Sequence, residues 1–433
     1  MSERGHFSSA LEWLSGAPKT WETKPLYSVG FENKKRNKGL TEQNLLSLSY
    51  GRVIDKDINS DSGLLPESFD SYQIVEPGDL IFRFTDLQND QRSLRSGLVK
   101  SRGIITSAYL GFRPVGAHPE FLAYLIHAYD VNKVFYGVGS GLRQSLNWQD
   151  VRTMPVPVPS IQDQIALTQY LDQETSRIDA LISKKEQLIE KLLERRQALI
   201  TQVVTKGLDP NVPMKDSGVK WLGEVPKGWT TKPIWSISKA FAGGTPESSN
   251  PEYWDDAEGT PWIAIGDMSD VTRVLSTSKA VSMLGRTIKR LPFGEPGDVL
   301  FAMYASVGAT AILGIRATWN QAILGLRIDS RLADEKFVFF LLKGISDVWN
   351  LLSNSNTQSN LNQHSVMHLR ISLPGKSEQA KIAAYLDQET SQMDTLVEKT
   401  RRAIELLKER RQALITQVVT GKIDVRGFAG GNS

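Results

Sequence analysis

The chain has 433 residues, of which 40% are hydrophobic and 23% are charged, and its net charge is +3. This length is enough for two or more domains with separate cores, and the composition is that of an ordinary globular protein. The absence of cysteine excludes disulfide bonds, thiolate nucleophiles and zinc sites built on cysteine. No apolar run approaches the roughly 18 residues of a membrane span. The N-terminal residues lack a signal-peptide pattern, so we expect a cytoplasmic protein without membrane contact.

A first globular domain is predicted over residues 1–160. Alternating and β-branched segments predict strands within Ser71–Phe84 and Arg102–Pro114, and a short helix follows within Pro119–Tyr129. Next comes a polar, glycine-rich loop at Gly137–Asn147. These elements indicate an α/β or α+β fold. Since no whole domain is basic, any surface for nucleic acid has to be local.

A long helix is predicted over residues 161–206. Its apolar residues recur at spacings of three, four and seven, and it ends before Gly207. At 1.5 Å per residue such a helix is roughly 65 Å long, which is far more than a globular domain needs. The same order then repeats as a second domain at 207–375, a second long helix at 376–421 and a tail at 422–433.

The two predicted helices are copies of one sequence. Tyr170–Thr205 aligns with Tyr385–Thr420 without a gap, and 25 of the 36 positions are identical. Shorter segments also recur, in the pairs Trp13–Leu26 with Trp221–Ile234 and Glu76–Phe82 with Glu295–Phe301. Matching apolar stripes favour an antiparallel coiled coil with internal pseudo-two-fold symmetry. The alternative is that each helix packs only on its own neighbouring domain.

With these repeats in this order, the chain resembles the specificity (S) subunits of type I restriction–modification systems. The resemblance covers nearly the whole chain and rests on the paired EPGD strands, the polar loops and the LDQETS…ERRQALITQVVT helices. It implies two target-recognition domains, each reading one half of a split double-stranded DNA sequence, and helices that fix the gap between the half-sites. It also implies docking of two methyltransferase subunits and, in a full restriction complex, of two restriction–translocase subunits.

The chain itself is not expected to be an enzyme. The resemblance implies that the partner subunits bind S-adenosylmethionine, and ATP with Mg²⁺ in a full restriction complex. In agreement, the chain has no [DN]PP[YF]-like segment for a flipped adenine and no GxxxxGK[ST] loop for nucleotide phosphates. We therefore expect no catalytic residue, metal or cofactor here. Two other interpretations stay open, namely a non-catalytic coiled-coil scaffold that binds proteins or glycans and a methyltransferase that acts alone.

Basic and polar residues at matched places in the two domains are candidates for DNA contact. Basic side chains suit phosphates, arginine pairs with guanine edges, and glutamine or asparagine pairs with adenine edges. The candidates in the first domain are Lys34, Lys35, Arg36, Lys38, Arg83, Arg92, Arg95, Arg102, Arg143, Gln144, Ser145 and Asn147. Those in the second are Gly243, Gly244, Thr245, Arg273, Lys279, Arg286, Lys289, Arg290, Tyr304, Asn356, Gln358, Ser359 and Asn360.

These candidates also have plainer explanations. A basic loop can be solvated surface, serine and asparagine can cap their own backbone, and adjacent glycines can form a tight turn. His364 and His368 have a spacing that metal ligands on a helix use, but no further metal-binding motif accompanies them, so a structural role is expected. On the helices, four arginines either pair with glutamates of the same helix or face a partner subunit. They are Arg195, Arg196, Arg410 and Arg411.

Overall fold

The computed structural model describes residues 14, 16–57, 68–87, 94–137, 145–269, 271–354 and 361–425. The chain divides into two compact units, of which the first is Met1–Lys185 with Arg402–Ser433 and the second is Glu186–Arg401. This division falls inside both long helices. Within the described part of the chain, none of the helices has the apolar length that a membrane crossing requires.

The first unit is built on short antiparallel strands. Its strands are β1 (Glu22–Pro25), β2 (Gly30–Asn33), β3 (Leu46–Ser49), β4 (Arg52–Asp55), β5 (Gln73–Val75), β6 (Leu80–Phe82), β7 (Ser96–Leu98), β8 (Gly103–Ile105), β9 (Leu110–Pro114) and β10 (Pro155–Val158). The largest sheet has the order β2-β9-β6-β7, and β1–β10, β3–β4 and β5–β8 are two-stranded. Its helices are α1 (Pro119–Val131), α2 (Trp148–Val151) and the first half of α3 (Ile161–Lys206).

The second unit repeats this plan with additions. Its strands are β11 (Met214–Asp216), β12 (Glu224–Pro226), β13 (Thr230–Pro233), β14 (Ser238–Ala242), β15 (Thr260–Ile263), β16 (Arg273–Val274), β17 (Lys279–Val281), β18 (Val299–Ala302), β19 (Thr310–Leu313), β20 (Thr318–Trp319), β21 (Ile323–Ile328) and β22 (Arg370–Leu373). Its helices are α4 (Met283–Ile288), α5 (Glu335–Gly344), α6 (Ser346–Asn354), α7 (Gln363–His368) and α8 (Lys376–Val419), whose second half belongs to the first unit. The main sheet, β14-β21-β18-β19-β16, keeps the strand order of the first unit and adds β16. The mixed α/β class predicted from the sequence is confirmed.

The turn before the central strand is the same in both units. In Glu76–Asp79 and Glu295–Asp298 proline stands second and glycine third, which is the sequence of a type II turn. The φ angle is 92° at Gly78 and 99° at Gly297, a conformation that residues with a Cβ atom rarely adopt. In each turn the N–H of the aspartate donates to the carbonyl of the glutamate at 3.0 Å. The EPGD repeat is therefore a structural turn that starts β6 and β18.

An arginine on the neighbouring strand binds each of these turns. Arg113 on β9 donates two hydrogen bonds, of 2.8 and 2.7 Å, to the carboxylate of Asp79. Arg327 on β21 donates two, of 3.0 and 2.7 Å, to Asp298. Both aspartates are almost fully buried, and a bidentate arginine is the partner that satisfies a buried carboxylate best. These hydrogen bonds raise the pKa of both arginines above their ordinary value.

A buried glutamine ties the start of each long helix to the preceding domain. The side chain of Gln164 accepts a hydrogen bond of 2.8 Å from the backbone N–H of His118, just before α1. Gln379, at the equivalent place in α8, accepts one of 2.8 Å from the backbone N–H of Asp334, just before α5. Each amide also donates to the proline carbonyl two residues before its helix. The identical amides therefore fix both helix starts to their domains in the same way.

The other end of each domain helix is held by the other long helix. In the first unit, the amide of Asn132 after α1 lies 3.5 Å from the hydroxyl of Thr416 on α8. In the second unit, the hydroxyl of Thr201 on α3 donates to the carbonyl of Gly344, at the end of α5, over 2.5 Å. Thr201 and Thr416 are equivalent positions of the 36-residue repeat. Each domain helix is thus bound by both long helices.

Within each unit the segments of α3 and α8 run antiparallel. In the first unit, Leu167 of α3 shares a core with Val418 of α8, and further along Asp179 pairs with Arg411. The carboxylate of Asp179 lies 2.9 Å from Nε of Arg411. The sequence therefore correctly predicted that the helices pack together. Each helix also packs on its neighbouring domain, but the alternative that it packs only there is wrong.

The second unit contains the equivalent ion pair with the helices exchanged. Arg196 of α3 lies 2.9 Å from the carboxylate of Asp394 of α8. Arg196 is equivalent to Arg411, and Asp394 is equivalent to Asp179, at the same offset as the rest of the repeat. One ion pair of the repeated sequence thus occurs once in each unit.

The middle of both long helices is buried only in part, since Val397 and Ile404 of α8 are 4% and 6% exposed but several leucines around them are not buried. Leucines in the middle of both helices are 41% to 49% exposed, namely Leu181, Leu188, Leu193, Leu396 and Leu406. The residues of α3 and α8 that belong to the main hydrophobic core of each unit lie toward the ends of the helices. Individual leucines near the centre of each helix therefore stay partly exposed in this chain.

We predict that the two exchanged ion pairs stabilise the helix packing in equal measure. Arg411→Ala and Arg196→Ala should each lower the free energy of unfolding by about 1 kcal/mol, because both guanidinium groups are partly buried against a carboxylate of the other helix. Arg410→Ala and Arg195→Ala, at adjacent exposed positions, should change it by less than about 0.5 kcal/mol. Thermal and denaturant-induced unfolding of the full chain measures the differences.

The double variant Asp179→Arg with Arg411→Asp provides the decisive comparison. Reversing both charges keeps the attraction, so it should recover most of the stability lost in Arg411→Asp alone. Equal losses for Arg410→Ala and Arg411→Ala, or no recovery in the double variant, would show that the ion pair does not contribute.

Candidate nucleic-acid interface

The basic loop of the first unit follows β2 and lies at the surface. Lys34, Lys35, Arg36 and Lys38 are all exposed. Lys34 forms an ion pair of 2.8 Å with Glu32, and Lys35 lies 3.8 Å from Glu76. Among the described residues, neither Arg36 nor Lys38 forms an ion pair. The loop therefore offers two uncompensated cations.

Arg102, which lies just before β8, contacts the segment that follows this loop. Its Nε donates to Glu42 at 2.8 Å and its Nη1 donates to Glu76 at 2.6 Å. The backbone N–H of Asn44 and, after it, the Arg102 guanidinium lower the pKa of Glu42 below its ordinary value. The structure thus brings together two sequence-predicted residues, Lys35 and Arg102, but both share the carboxylate of Glu76. Their charge is partly neutralised within the chain.

Arg95 has to be corrected as a candidate for DNA contact. Its side chain is fully buried, at 0% exposure. Its guanidinium donates to the carbonyl oxygens of Thr85, at 2.9 Å, and Asp86, at 3.1 Å, and Nε donates to the hydroxyl of Tyr136 at 3.3 Å. The arginine holds the loop after β6 from inside and has no surface to offer a phosphate. Arg83 on the same loop is half-exposed and stays a candidate.

The polar loops are described only in part. Seven candidates lie outside the described residues, namely Arg92, Arg143, Gln144, Asn356, Gln358, Ser359 and Asn360. Ser145 is exposed. The side chain of Asn147 accepts a hydrogen bond of 2.8 Å from the N–H of Gln149, and its N–H donates to Asp150 at 2.9 Å. Asn147 therefore caps α2, which is the plainer of its two explanations.

The glycines of the second unit pack against their own chain. A Cβ atom on Gly243 would collide with Trp319, and the N–H of Gly244 donates to the carbonyl of Trp319 at 2.9 Å. The hydroxyl of Thr245 donates to the side chain of Gln321. Contacts with the buried Trp319 thus explain why glycine occurs at both positions, and no close approach of DNA is needed to explain it. Of this group, Thr245 with Gln321 remains available at the surface.

The predicted cations of the second unit have different surroundings. Arg273 forms an ion pair of 2.8 Å with Glu335, and the ammonium of Lys279 lies 5.3 Å from the centre of the Trp254 ring. The guanidinium of Arg286 stacks on Phe293 at 4.2 Å. Lys289 and Arg290 are exposed at the end of α4, whereas Tyr304 is half-buried beside the core of the unit.

Two further arginines of this unit were not anticipated. The guanidinium of Arg316 lies 4.0 Å from the centre of Phe293, on which Arg286 also stacks, and Arg327 lies 5.0 Å from Phe241. One signal was available in the sequence, because LGFR at residues 110–113 recurs as LGLR at 324–327. No comparable repeat points to Arg316.

The arginines of the long helices divide into two kinds. Arg196 and Arg411 pair with aspartates of the other helix, so the alternative in which they pair with glutamates of their own helix is wrong. Because those pairs occupy their guanidinium groups, a partner-binding role for these two is disfavoured. Arg195 and Arg410 are exposed and stay candidates.

The histidine pair carries no sign of a metal site. The rings of His364 and His368 stack with 3.8 Å between their centres, and Nδ1 of His368 lies 3.0 Å from the carbonyl of His364. Among the described residues, no group of three or more histidine, aspartate or glutamate side chains is placed to hold a metal ion.

Comparison with known proteins gives consistent results. The family model for the type I restriction modification DNA specificity domain matches residues 226–406. A putative type I restriction enzyme MjaX specificity subunit from Methanocaldococcus jannaschii is 23% identical over 315 residues, which cover 71% of this chain and 69% of that protein. The type I restriction enzyme EcoBI specificity subunit from Escherichia coli is 25% identical over 191 residues, which cover 43% of this chain and 37% of that one.

Solved structures share the fold. A chain from a study of complex assembly and conformational transition of the type I restriction–modification system superposes with a TM-score of 0.72 at 18% identity, covering 94% of this chain and 99% of that one. The HsdS subunit from Thermoanaerobacter tengcongensis gives 0.54 at 18% identity, covering 94% and 98%. Residues 226–406 therefore match a DNA specificity domain of type I restriction–modification systems, and most of the chain is similar to specificity subunits of those systems.

Proposed function

We propose that this chain directs a type I complex to a split DNA target, with one half-site read by the domain of each unit. The observation that carries the proposal is the exchange of equivalent contacts, since both units contain the same Asp–Arg ion pair formed by opposite helices. Because the two long helices make equivalent contacts in both units, they hold two different domains in the same way. The paired helices α3 and α8 would then fix the number of base pairs between the half-sites.

The local charge of each domain supports contact with DNA. In the first unit the uncompensated cations Arg36 and Lys38 lie on one surface loop. In the second unit Lys289 and Arg290 lie together at the end of α4. Protein–DNA affinity depends on such local clusters, because each phosphate contact releases counterions whatever the net charge of the protein.

The exposed leucines of the long helices support recruitment of partner subunits. Partly exposed leucines on a long helix are apolar surface that a partner protein can cover. We propose that two methyltransferase subunits dock there, with Arg195 and Arg410 at the rim, and that a full restriction complex adds two restriction–translocase subunits. The S-adenosylmethionine, and the ATP with Mg²⁺, would be bound by those partners and not by this chain.

The test of this function is a map of N6-methyladenine across a host genome, with and without this gene and with its methyltransferase partner present. A split methylation motif should disappear when the gene is deleted. The sequence of that motif gives both half-sites at once. If every methylated motif persists in a host whose methyltransferase is active, the chain is not the specificity subunit, and the protein-binding scaffold becomes the better explanation.

We predict that the length of α3 and α8 sets the number of base pairs between the two half-sites. A heptad inserted at equivalent places of both helices, after Lys185 and after Thr400, lengthens each by about 10 Å, which is close to three base pairs of DNA. The same genome map should then show unchanged half-sites separated by about three more base pairs. Insertion in one helix alone is the control, because it breaks the register of the ion pairs and should abolish methylation. Altered half-site bases with an unchanged gap would overturn the proposal.

We predict that the basic loop of the first unit contacts phosphates. On a duplex that carries the mapped motif, the double variant Arg36→Ala with Lys38→Ala should bind more weakly. It should also reduce the magnitude of the slope of the logarithm of the DNA association constant against the logarithm of the salt concentration by about two, since each phosphate contact contributes about one to that slope. The matched control is Arg331→Ala with Arg401→Ala, which removes two exposed arginines already paired with nearby carboxylates. An unchanged slope in the first variant would place the loop away from the DNA.

A further inference from the structure

Helix α4 of the second unit exposes an apolar face. Met283 is 80% exposed, Leu284 is 46% exposed and Ile288 is 52% exposed. The buried side of the helix is Gly285, where a Cβ atom would collide with the backbone of Tyr253. Because this glycine lets α4 lie flat on the chain beneath it, the larger side chains all face outward. The described residues of the unit leave all three side chains exposed.

Cations stand at the end of this apolar face. Lys289 and Arg290 follow Ile288 directly and are exposed, and neither forms an ion pair among the described residues. The φ angle of Arg290 is +50°, which is uncommon for a residue with a side chain. The chain turns there so that the N–H of Leu291 donates to the carbonyl of Arg286 at 3.0 Å. The turn keeps both cations next to the apolar face.

A second pair of cations is fixed beside α4 by an aromatic ring. The guanidinium of Arg286 lies 4.2 Å from the centre of Phe293, and that of Arg316 lies 4.0 Å from it. Glu295 is 3.1 Å from Arg316 and is the carboxylate that balances it. Stacking on an aromatic ring restricts a guanidinium without consuming its hydrogen-bond donors. Arg286 can therefore still bind an anion.

We propose that α4 inserts its apolar face, Met283, Leu284 and Ile288, between bases of the half-site read by the second unit, while Arg286, Lys289 and Arg290 hold the flanking phosphates. The inference rests on the proposed function, since it needs DNA on this unit. Apolar side chains surrounded by cations are the combination with which proteins unstack a base step and bend a duplex. The cations at the helix end favour DNA over an apolar protein partner, because desolvating them needs a polyanion.

The experiment uses the full chain with its methyltransferase partner and a duplex carrying the mapped motif. Adenines of the second half-site, except the one that is methylated and therefore flipped by the methyltransferase, are replaced one at a time by 2-aminopurine, whose fluorescence rises when it is unstacked. Wild-type protein should raise the fluorescence at one step. The triple variant Met283→Ala, Leu284→Ala and Ile288→Ala should remove the rise and weaken binding by about tenfold or more. Met283→Phe keeps a bulky apolar group and should retain the rise.

Leu332→Ala is the matched control, because Leu332 is a 40% exposed leucine of the same unit that lies outside α4. It should leave both fluorescence and affinity unchanged. A triple variant that binds the motif and raises fluorescence like wild type overturns insertion by α4. A triple variant that binds DNA normally but no longer holds the methyltransferase also overturns it and makes the face a protein-docking surface. Failure of the wild-type protein to bind the motif at all would instead refute the proposed function.

Discussion

Each long helix contributes to two hydrophobic cores, and this double requirement constrains the rest of the molecule. The first half of α3 packs with the domain that precedes it through Leu167 and Leu171, and its second half packs in the other unit through Ile200 and Val204. Helix α8 does the reverse, because its first half packs in the second unit and its second half packs in the first unit. The repeated helix sequence therefore has to fit both cores. The ERRQALITQVVT segment is shared for this physical reason, since it meets α5 in one unit and α1 in the other.

The domains keep the contacts that fix them to the helices and change elsewhere. The buried glutamines Gln164 and Gln379 bind backbone N–H groups, which every sequence offers, so the residues around them are free to differ. Asp172 and Asp387 are also equivalent residues of the two long helices, but their partners in the domains differ. Asp172 accepts a hydrogen bond from Tyr124, whereas Asp387 pairs with Lys336. A helix that holds its domain through main-chain groups can carry domains of unlike surface.

The sequence predicted features that depend on neighbouring residues and missed those that depend on distant ones. The long helices follow from apolar spacing and from the absence of glycine and proline, and the EPGD turns follow from the turn preferences of proline and glycine. The burial of Arg95 could not be read from its neighbours, because its acceptors are carbonyl groups of a folded loop. Likewise the partner of Arg196 is 198 residues away in sequence, so the sequence offered only same-helix glutamates or a partner subunit and missed Asp394.

The two domains manage their surface cations in different ways, and this difference bears on how each meets DNA. In the first unit Lys35 and Arg102 share a carboxylate, so a phosphate that binds there has to displace Glu76 from both cations. In the second unit Arg286 rests on an aromatic ring, which orients the guanidinium without neutralising it. A carboxylate-paired cation favours discrimination between ligands, whereas a ring-stacked cation favours strong binding. The repeated helices thus carry a first domain in which Lys35 and Arg102 are paired with a carboxylate, and a second domain in which Arg286 is stacked on a ring beside an apolar helix face.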